Sequence, residues 1–295
     1  MSIDLSTVSH SSKPQPPYGH LVTAILLALS TPSGNKSALP TVTRTLPQAE
    51  LFHAALVQKV GKGERIDCPE LTGRDAHGNP LLGRHEHAHV LPLDLDGDGH
   101  LDHILIHAKM GLSEQAQHAV RSLNRTYSKG GVGELQVAVA GVGNTDQLLQ
   151  LPHKNGQSAR ILLGKTTETN ESNSMIWESV TPFVPPRYLK KSGKNNLEGQ
   201  INAELQSRGL PEAKRIEILE ERSKSLRHFI RTRRRGVNTS QPPVDIGLAV
   251  RIEFDHALDT DRLPLVLGYG SHFGLGLFSS VDSALETEFG LAVVR

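Results

Sequence analysis

The chain has 295 residues, of which 37% are hydrophobic, enough to bury one large core or two smaller ones. Its 32 Lys and Arg residues nearly balance 31 Asp and Glu residues, so a nucleic-acid partner would need a local basic surface. The single cysteine, Cys68, excludes an internal disulfide framework and a multi-cysteine zinc site. Because no apolar run reaches membrane-spanning length and no secretory leader is evident, we expect a cytoplasmic protein with no membrane partner.

The first hundred residues show a tail, a strand, a helix and a hairpin. Residues 1–17 are rich in Ser and Pro and predict a flexible tail. The apolar run from His20 to Leu29 predicts a buried central strand. A helix should begin at Thr45, with a proline in its first turn, and end at Gly61.

The stretch Gly83–Ala108 predicts a β-hairpin, because alternating residues flank the turn sequence DLDGDG. If the turn centres near Gly97, residues whose numbers sum to about 194 lie opposite each other. One face of the hairpin is then mostly apolar, and helices would cover it. The other face, left open to chemistry, would carry five histidines: His85, His87, His89, His103 and His107.

A second helix and a further strand complete the first half of the chain. Ser113 should cap a second helix whose Ala116, Val120, Leu123 and Tyr127 recur at helical spacing. Glu134 to Val142 then predicts a strand, which completes the order β-α-β-β-α-β for residues 18–145.

A second, less regular set occupies residues 174–295, after a polar boundary at 144–173. It predicts a strand in MIWESVTPFV, a helix over Leu197–Arg208, a charged helix over 211–226, and strands at 246–254 and Leu263–Leu267. The expected fold class is therefore α+β, with tandem ferredoxin-like (RRM-like, βαββαβ) domains and a C-terminal Gly-rich loop, GYGSHFGLGLF.

The acidic turn of the hairpin partly matches a calcium-binding EF-hand loop. Asp94, Asp96, Asp98, Gly99 and Asp102 fit five of its positions, but Leu105 stands where a bidentate Glu is needed and strands flank the loop. The pattern favours a hydrogen-bonded structural turn, and we assign no metal site.

The histidines allow three interpretations that the residues alone leave open. Alternate imidazoles on a strand can bind zinc or manganese. They can also form an ordinary polar surface, or act as general acids and bases near neutral pH.

Downstream sequences supply local positive charge and backbone flexibility. The segments RYLKKSGK and RHFIRTRRRG concentrate basic residues, as a phosphate backbone requires, although a solvated face is an equally good interpretation. The RNA-binding candidates in them are Lys190, Lys191, Arg231, Arg233, Arg234 and Arg235. Glycines in the C-terminal loop would let backbone amides approach phosphate oxygens, unless they only form a bulged loop: Gly268, Gly270, Gly274 and Gly276.

Several of these motifs together resemble a known family. HEHAHVLPLDLDGDGHLDH, WESVTPFVPPR, the RGLP beginning at Arg208, and SHFGLGLF are similar to the repeat-RNA processing half of the fused subunit of type I-G (formerly I-U) CRISPR systems, within the RAMP superfamily. The similarity spans about residues 40–282. The fused subunit has an additional N-terminal module, for which this chain has no room, so we expect a stand-alone protein or an excised half.

The resemblance implies a metal-independent endoribonuclease, without cofactor, that cuts precursor CRISPR RNA by attack of a ribose 2′-hydroxyl. Its partners would be CRISPR repeat RNA and other effector subunits. The family's His-x-His-Ala element falls on His85 and His87, and its Asp-His element on Asp102 and His103, while His89 takes an aromatic place in the pattern. The catalytic candidates are His87, with His85 or His103 as its counterpart, and His272 as a rival.

Two other functions fit the same residues. One is a non-catalytic subunit that holds guide RNA in a CRISPR effector complex. The other is a metal-dependent hydrolase that uses the histidine-rich hairpin.

Overall fold

A computed structural model describes residues 21–61, 68–82, 85–128, 133–148, 160–162, 164, 174–233 and 241–281. The tail predicted at residues 1–17 lies outside these ranges. Among the helices in these ranges, none is both long enough and apolar enough to cross a membrane.

The first half of the chain forms a five-stranded antiparallel sheet in the order β2-β3-β1-β5-β4. Its strands are β1 (Ala24–Ser30), β2 (His89–Leu93), β3 (His103–His107), β4 (Arg125–Ser128) and β5 (Gly133–Gly143). Its helices are α1 (Thr45–Val60), α2 (Pro69–Thr72), α3 (Glu114–Arg121) and α4 (Thr145–Leu148).

The central strand β1 is buried on both faces, as its continuous apolar sequence predicted. Ile25, Leu27 and Leu29 pack in the core that includes residues of α1 and α3. The alternate residues Ala24 and Leu26 face the second half of the chain. The period-two alternation of a strand therefore divides β1 between two cores.

The hairpin forms, but its strands are shorter than predicted and its register differs. His89 lies opposite His107 and Leu93 opposite His103, a shift of two residues from the predicted pairing. Because a shift of two preserves the face on which each side chain lies, the predicted division into two faces is retained. His85 and His87 precede β2 in a turn and are not strand residues.

The second helix of this half ends earlier than its apolar spacing suggested. Ser113 caps α3 by accepting a hydrogen bond from the Ala116 N–H, but the helix ends at Arg121. Tyr127 lies in β4, which pairs with β5, so the prediction that it continues the helix was wrong. Pairing with a distant strand outweighed the local helical spacing.

The second half forms a four-stranded antiparallel sheet in the order β7-β8-β6-β9. Its strands are β6 (Ile176–Ser179), β7 (Arg215–Ile218), β8 (Val250–Glu253) and β9 (Phe278–Ser280). Its helices are α5 (Leu197–Ser207) and α6 (Glu220–Leu226). Short 3₁₀ turns cover Lys36–Ala38, Val42–Arg44, Thr260–Arg262 and Ser271–Phe273.

The α+β class with two antiparallel sheets agrees with the prediction, whereas a tandem βαββαβ repeat is not confirmed. The first half follows that order with β4 added at the sheet edge. The second half has the corresponding strand order, but residues 254–277 contain only 3₁₀ turns and no second crossover helix.

Two predictions within the second half were wrong. The charged stretch 211–226 is not one helix, since Arg215–Ile218 pairs with β8 as an edge strand. Leu263–Leu267 is not a regular strand and makes one bridge, between Val266 and Leu277.

One face of the first sheet packs on helices α1 and α3. The second half of the chain covers the opposite face. Leu91, Leu93 and Leu105 share a buried cluster with Val266 and Leu277. This packing leaves His89 and His107, at one end of the same face, beside a cleft between the halves.

Candidate active site

The cleft between the two halves has a volume of about 300 Å³. The first half contributes imidazoles and a lysine to its wall: His85, His89, His107 and Lys109. The facing wall includes two arginines, Arg208 at the end of α5 and Arg262. Imidazoles and permanent cations therefore lie around one space.

Four histidine rings lie beside this cleft in a group that we call the histidine stack: His85, His87, His89 and His272. The ring of His272 is sandwiched, 4.1 Å from His87 at an angle of 7° and 3.9 Å from His89 at 18°, between centroids. His85 stacks less closely, at 5.5 Å from His272. The stack thus joins the hairpin to the C-terminal loop.

The position of His272 follows from the conformation of the Gly-rich loop. Gly270 and Gly274 flank the 3₁₀ turn with positive φ angles of 73° and 82°. A Cβ on Gly274 would lie 2.7 Å from the Thr45 Cγ2, so the loop packs tightly on the start of α1. His272 then reaches β2, where its Nδ1 lies 3.4 Å from the carbonyl oxygen of Ala88.

Four histidines of the site have lowered pKa values and are neutral at pH 7: His87, His89, His107 and His272. Burial lowers the pKa of His87 and of His107 to about 4. Burial, followed by the charge of neighbouring groups, lowers the pKa of His89 and His272 well below the usual value. Neutral imidazoles can accept protons, which a general base must do.

A metal ion fits this site poorly, although ligand nitrogens of His85, His89 and His272 lie within 4.8 Å of one another. The rings are nearly parallel, whereas nitrogens that share a tetrahedral ion must converge on it. The charge of Arg208 also acts on His89 and His272, and a positive potential repels a divalent cation.

His103 lies apart from the stack, at the other end of β3 from His107. The four residue steps of strand between them span about 13 Å. The Nδ1 of His103 lies 2.9 Å from the Asp102 Oδ1, which also accepts the Leu95 N–H. The structure thus brings the two residues of the Asp-His element, Asp102 and His103, into contact.

In the acidic turn, aspartate side chains accept hydrogen bonds from the backbone N–H groups of the same turn. The carboxylate of Asp94 accepts the N–H groups of Gly97, Asp98 and Gly99 at 2.7, 3.2 and 2.8 Å. Asp96 forms an ion pair with Lys36 at 2.6 Å. These contacts are those of the structural turn that the sequence favoured.

The predicted RNA-binding cations differ in how freely they can meet a ligand. Lys190 and Lys191 are exposed and line a shallow depression beside the edge strand β7. Arg231 is bound to Asp245 at 2.7 Å and to two backbone carbonyls. Arg233 pairs with Glu50 at 2.5 Å and lies 4.5 Å over the Phe273 ring. Arg234 and Arg235 lie outside the described residues.

The predicted phosphate-binding glycines have structural partners. The N–H groups of Gly268, Gly274 and Gly276 donate to Glu204, to Ser271 and to Pro182. A Cβ on Gly276 would lie 1.8 Å from the Leu267 carbonyl oxygen. Chain packing therefore accounts for Gly268, Gly274 and Gly276 without a ligand, and Gly270 supplies the positive φ angle that begins the 3₁₀ turn.

Sequence reasoning missed most of the cleft wall. His107 was visible in the alternating pattern of the hairpin but was not selected, and Arg208 stood in the RGLP motif without a role. Lys109 and Arg262 carried no recognisable signal, because only the packing of the two halves brings them to the cleft.

No family model and no curated protein matches the sequence. Among solved structures, "CRISPR associated protein Cas6" is 11% identical over 88% of this chain and 100% of its own, with a TM-score of 0.41. A Cas6-related protein from Pyrococcus furiosus is 12% identical over 89% and 99%, with a TM-score of 0.40. A Cas6 product complex is 14% identical over 89% and 100%, with a TM-score of 0.38. Scores at this level do not by themselves assign a fold, a reaction or a substrate.

Proposed function

We propose that this chain is a metal-independent endoribonuclease that cleaves precursor CRISPR RNA within its repeats. The observation that carries the proposal is the cleft, in which imidazoles of one half face arginines of the other. The motifs that resemble the type I-G processing subunit supply the substrate class. Two of them, HEHAH and RGLP, contribute residues to the cleft wall, and SHFGLGLF supplies His272, which stacks on the cleft residue His89.

The reaction needs a base, an acid and a group that stabilises negative charge. His107, with its pKa of about 4, accepts the 2′-hydroxyl proton, and the oxygen attacks the adjacent phosphorus in line. His85, a half-buried imidazole of the cleft wall, acts in its protonated form and donates that proton to the departing 5′ oxygen. The products are a 2′,3′-cyclic phosphate and a 5′-hydroxyl, and the cations of the cleft stabilise the phosphorane oxygens.

His87, the leading candidate from the sequence, takes a supporting role in this scheme. Its ring lies on the far side of His272 from His89 and against Gly73, and it is not part of the cleft wall. It fixes the plane of His272, which in turn stacks on the cleft residue His89.

The test is incubation of the protein with end-labelled repeat RNA, with and without EDTA. We expect cleavage in both conditions and a loss of at least about 100-fold for His107→Ala and His85→Ala, the usual range for removal of an acid or base. His256→Ala is the matched control, because that histidine is exposed and outside the cleft.

Two results would replace this proposal by an alternative. Activity that disappears with EDTA and returns with a divalent ion would indicate a metal-dependent hydrolase. Tight binding of repeat RNA without products after long incubation would indicate a guide-RNA-binding subunit.

A further inference from the structure

We infer that the guanidinium of Arg208 is a binding site for a phosphate group of the RNA backbone, held in position by Glu204 and Ser271. The identity of the ligand rests on the proposed function. The site itself rests on the contacts and charges around the end of α5, which lies in the sequence between the two basic clusters and belongs to neither.

Arg208 is fixed from both sides. Its Nη1 donates to the carbonyl oxygen of Glu204 at 2.8 Å and to the Glu204 Oε2 at 2.9 Å. Its Nη2 donates to the Ser271 Oγ at 3.2 Å. Only 10% of the side chain is exposed. An arginine held in this way loses little conformational freedom when it binds an anion.

Glu204 does more than neutralise this arginine. Its Oε2 also accepts the N–H of Gly268 at 2.9 Å, so one carboxylate oxygen ties α5 to the C-terminal loop. Ser271, on the other side of the guanidinium, directly precedes His272 in that loop. The orientation of Arg208 is therefore coupled to the loop that carries the centre of the histidine stack.

The guanidinium retains hydrogen-bonding capacity toward the cleft. A guanidinium has five N–H donors in a planar fork. Nη1 also lies 3.2 Å from the Ser207 Oγ, so its two hydrogens are shared among three acceptors, and one Nη2 hydrogen is used by Ser271. Within the described part of the chain, the Nε hydrogen and the second Nη2 hydrogen remain. Arg208 is part of the cleft wall, where it faces His85 and His89. A tetrahedral phosphate accepts such a fork through two oxygens.

The charges near the cleft favour an anion over a cation. Burial is the main cause of the lowered pKa of His89, His107 and His272. The charge of Arg208 lowers the pKa of His89 and His272 further, and that of Lys109 lowers the pKa of His107 further. Of the carboxylates in the wall, Asp261 lies 3.6 Å from Arg262 and Glu86 is exposed. Lys109, Arg208 and Arg262 place three cations around the cleft, and such a concentration of positive charge attracts a phosphodiester.

The binding test uses repeat RNA with 2′-O-methyl groups throughout, which lacks the attacking hydroxyl and stays intact. We expect Arg208→Ala to raise its Kd by about 10-fold or more, the equivalent of one charged hydrogen-bonded contact. The slope of log Kd against log salt should fall by about 0.7, the value for one phosphate of a single strand. Arg121→Ala, which removes an exposed arginine from α3, is the control and should leave both unchanged.

Conservative variants separate phosphate binding from a structural role. Arg208→Lys keeps the charge without the fork and should bind with an intermediate Kd, and Ser271→Ala should weaken binding about threefold with an unchanged melting temperature. Millimolar guanidinium ion should partly restore binding to Arg208→Ala. If Arg208→Ala and Arg208→Lys are folded and show the same Kd and salt slope as the wild-type protein, the inference is overturned.

The outcome is independent of whether the protein cleaves RNA. If wild-type protein cuts unmodified repeat RNA and folded Arg208 variants bind like wild type, the phosphate site is wrong and the nuclease stands. If binding depends on Arg208 but no product forms, the site stands and the nuclease is wrong.

Discussion

Among single residues, Gly73 controls the place of His87. It has a φ of +66°, and a Cβ there would lie 2.7 Å from the His87 Nε2. Gly78, in the next turn, has a φ of +84°, and a Cβ added there would have nothing within 4 Å. The two glycines therefore share a left-handed backbone but differ in what an added methyl group would meet.

We predict that Gly78→Ala lowers the free energy of unfolding by about 1 kcal/mol, the strain of a left-handed alanine. Gly73→Ala should cost about 1–2 kcal/mol more, because the methyl group displaces the His87 ring from His272. Urea unfolding measures the difference, and the ring-proton shifts of His87 report the displacement. Equal losses of stability with unshifted His87 signals would show that the stack does not depend on Gly73.

The sequence predicted the face on which the hairpin histidines lie better than it predicted the residues that they contact. The period-two alternation of the hairpin placed His89 and His107 on one face because strand geometry is local. The contact of His272 with that face joins residues 184 positions apart, between Ala88 and His272, and no local pattern encodes it. Arg208 entered the site in the same way, through packing between halves.

Among elements, those with strong local signals were predicted almost to the residue. Helix α1 ends at Val60 beside Gly61, and α5 ends before Gly209, whose φ is 69°. The edge strands β4 and β7 were wrongly predicted as helix. Each is a strand because it pairs with one neighbouring strand, which is distant information that a local pattern does not contain. Their sequences carry helical spacing or charge, which the sheet overrode.

The contact between α1 and the Gly-rich loop depends on Arg233. Its Nε pairs with Glu50 of α1, and its guanidinium lies over the Phe273 ring. The two charged side chains are 24% and 18% exposed, so water screens this pair less than a surface pair. The residue thus has a structural role that competes with RNA binding.

We predict a coupling energy of about 1–2 kcal/mol between Glu50 and Arg233 in a double-mutant cycle of alanine variants. Removal of either partner leaves the other charge half-buried and unpaired, so each single variant should be destabilised. The double variant should lose less stability than the sum of the two single losses. Equilibrium urea unfolding of the four proteins measures it. Additivity within about 0.3 kcal/mol would contradict the interaction.

For the whole molecule, the buried histidines make stability depend on pH. Burial lowers the pKa of His107 and His87 from 6.5 to about 4 in the folded protein. Between these values the unfolded chain binds more protons, so stability rises with pH and is fully present above about pH 6.5. It is lost as the pH falls toward 4, by on the order of 2 kcal/mol per histidine when solvent screening is allowed for.

We predict that His107→Gln reduces this loss, because the variant has one fewer buried imidazole to protonate. The urea midpoint is measured at pH 7, 5.5 and 4, and the difference between proteins removes the contribution of the carboxylates. His256→Gln, at an exposed site, should keep the wild-type pH dependence. An identical pH dependence in His107→Gln would show that this imidazole is not held neutral.

The two halves should unfold as one unit, because they share the buried cluster of Leu91, Leu105, Val266 and Leu277. Leu56 is 1% exposed in the core of the first half, and the only tryptophan, Trp177, is 1% exposed in the core of the second. Leu56→Ala should cost about 2–5 kcal/mol. If the halves are coupled, tryptophan fluorescence and far-UV circular dichroism should give the same lowered urea midpoint. A fluorescence midpoint that stays at the wild-type value would mean that the second half folds independently, and that the cleft can open without unfolding either half.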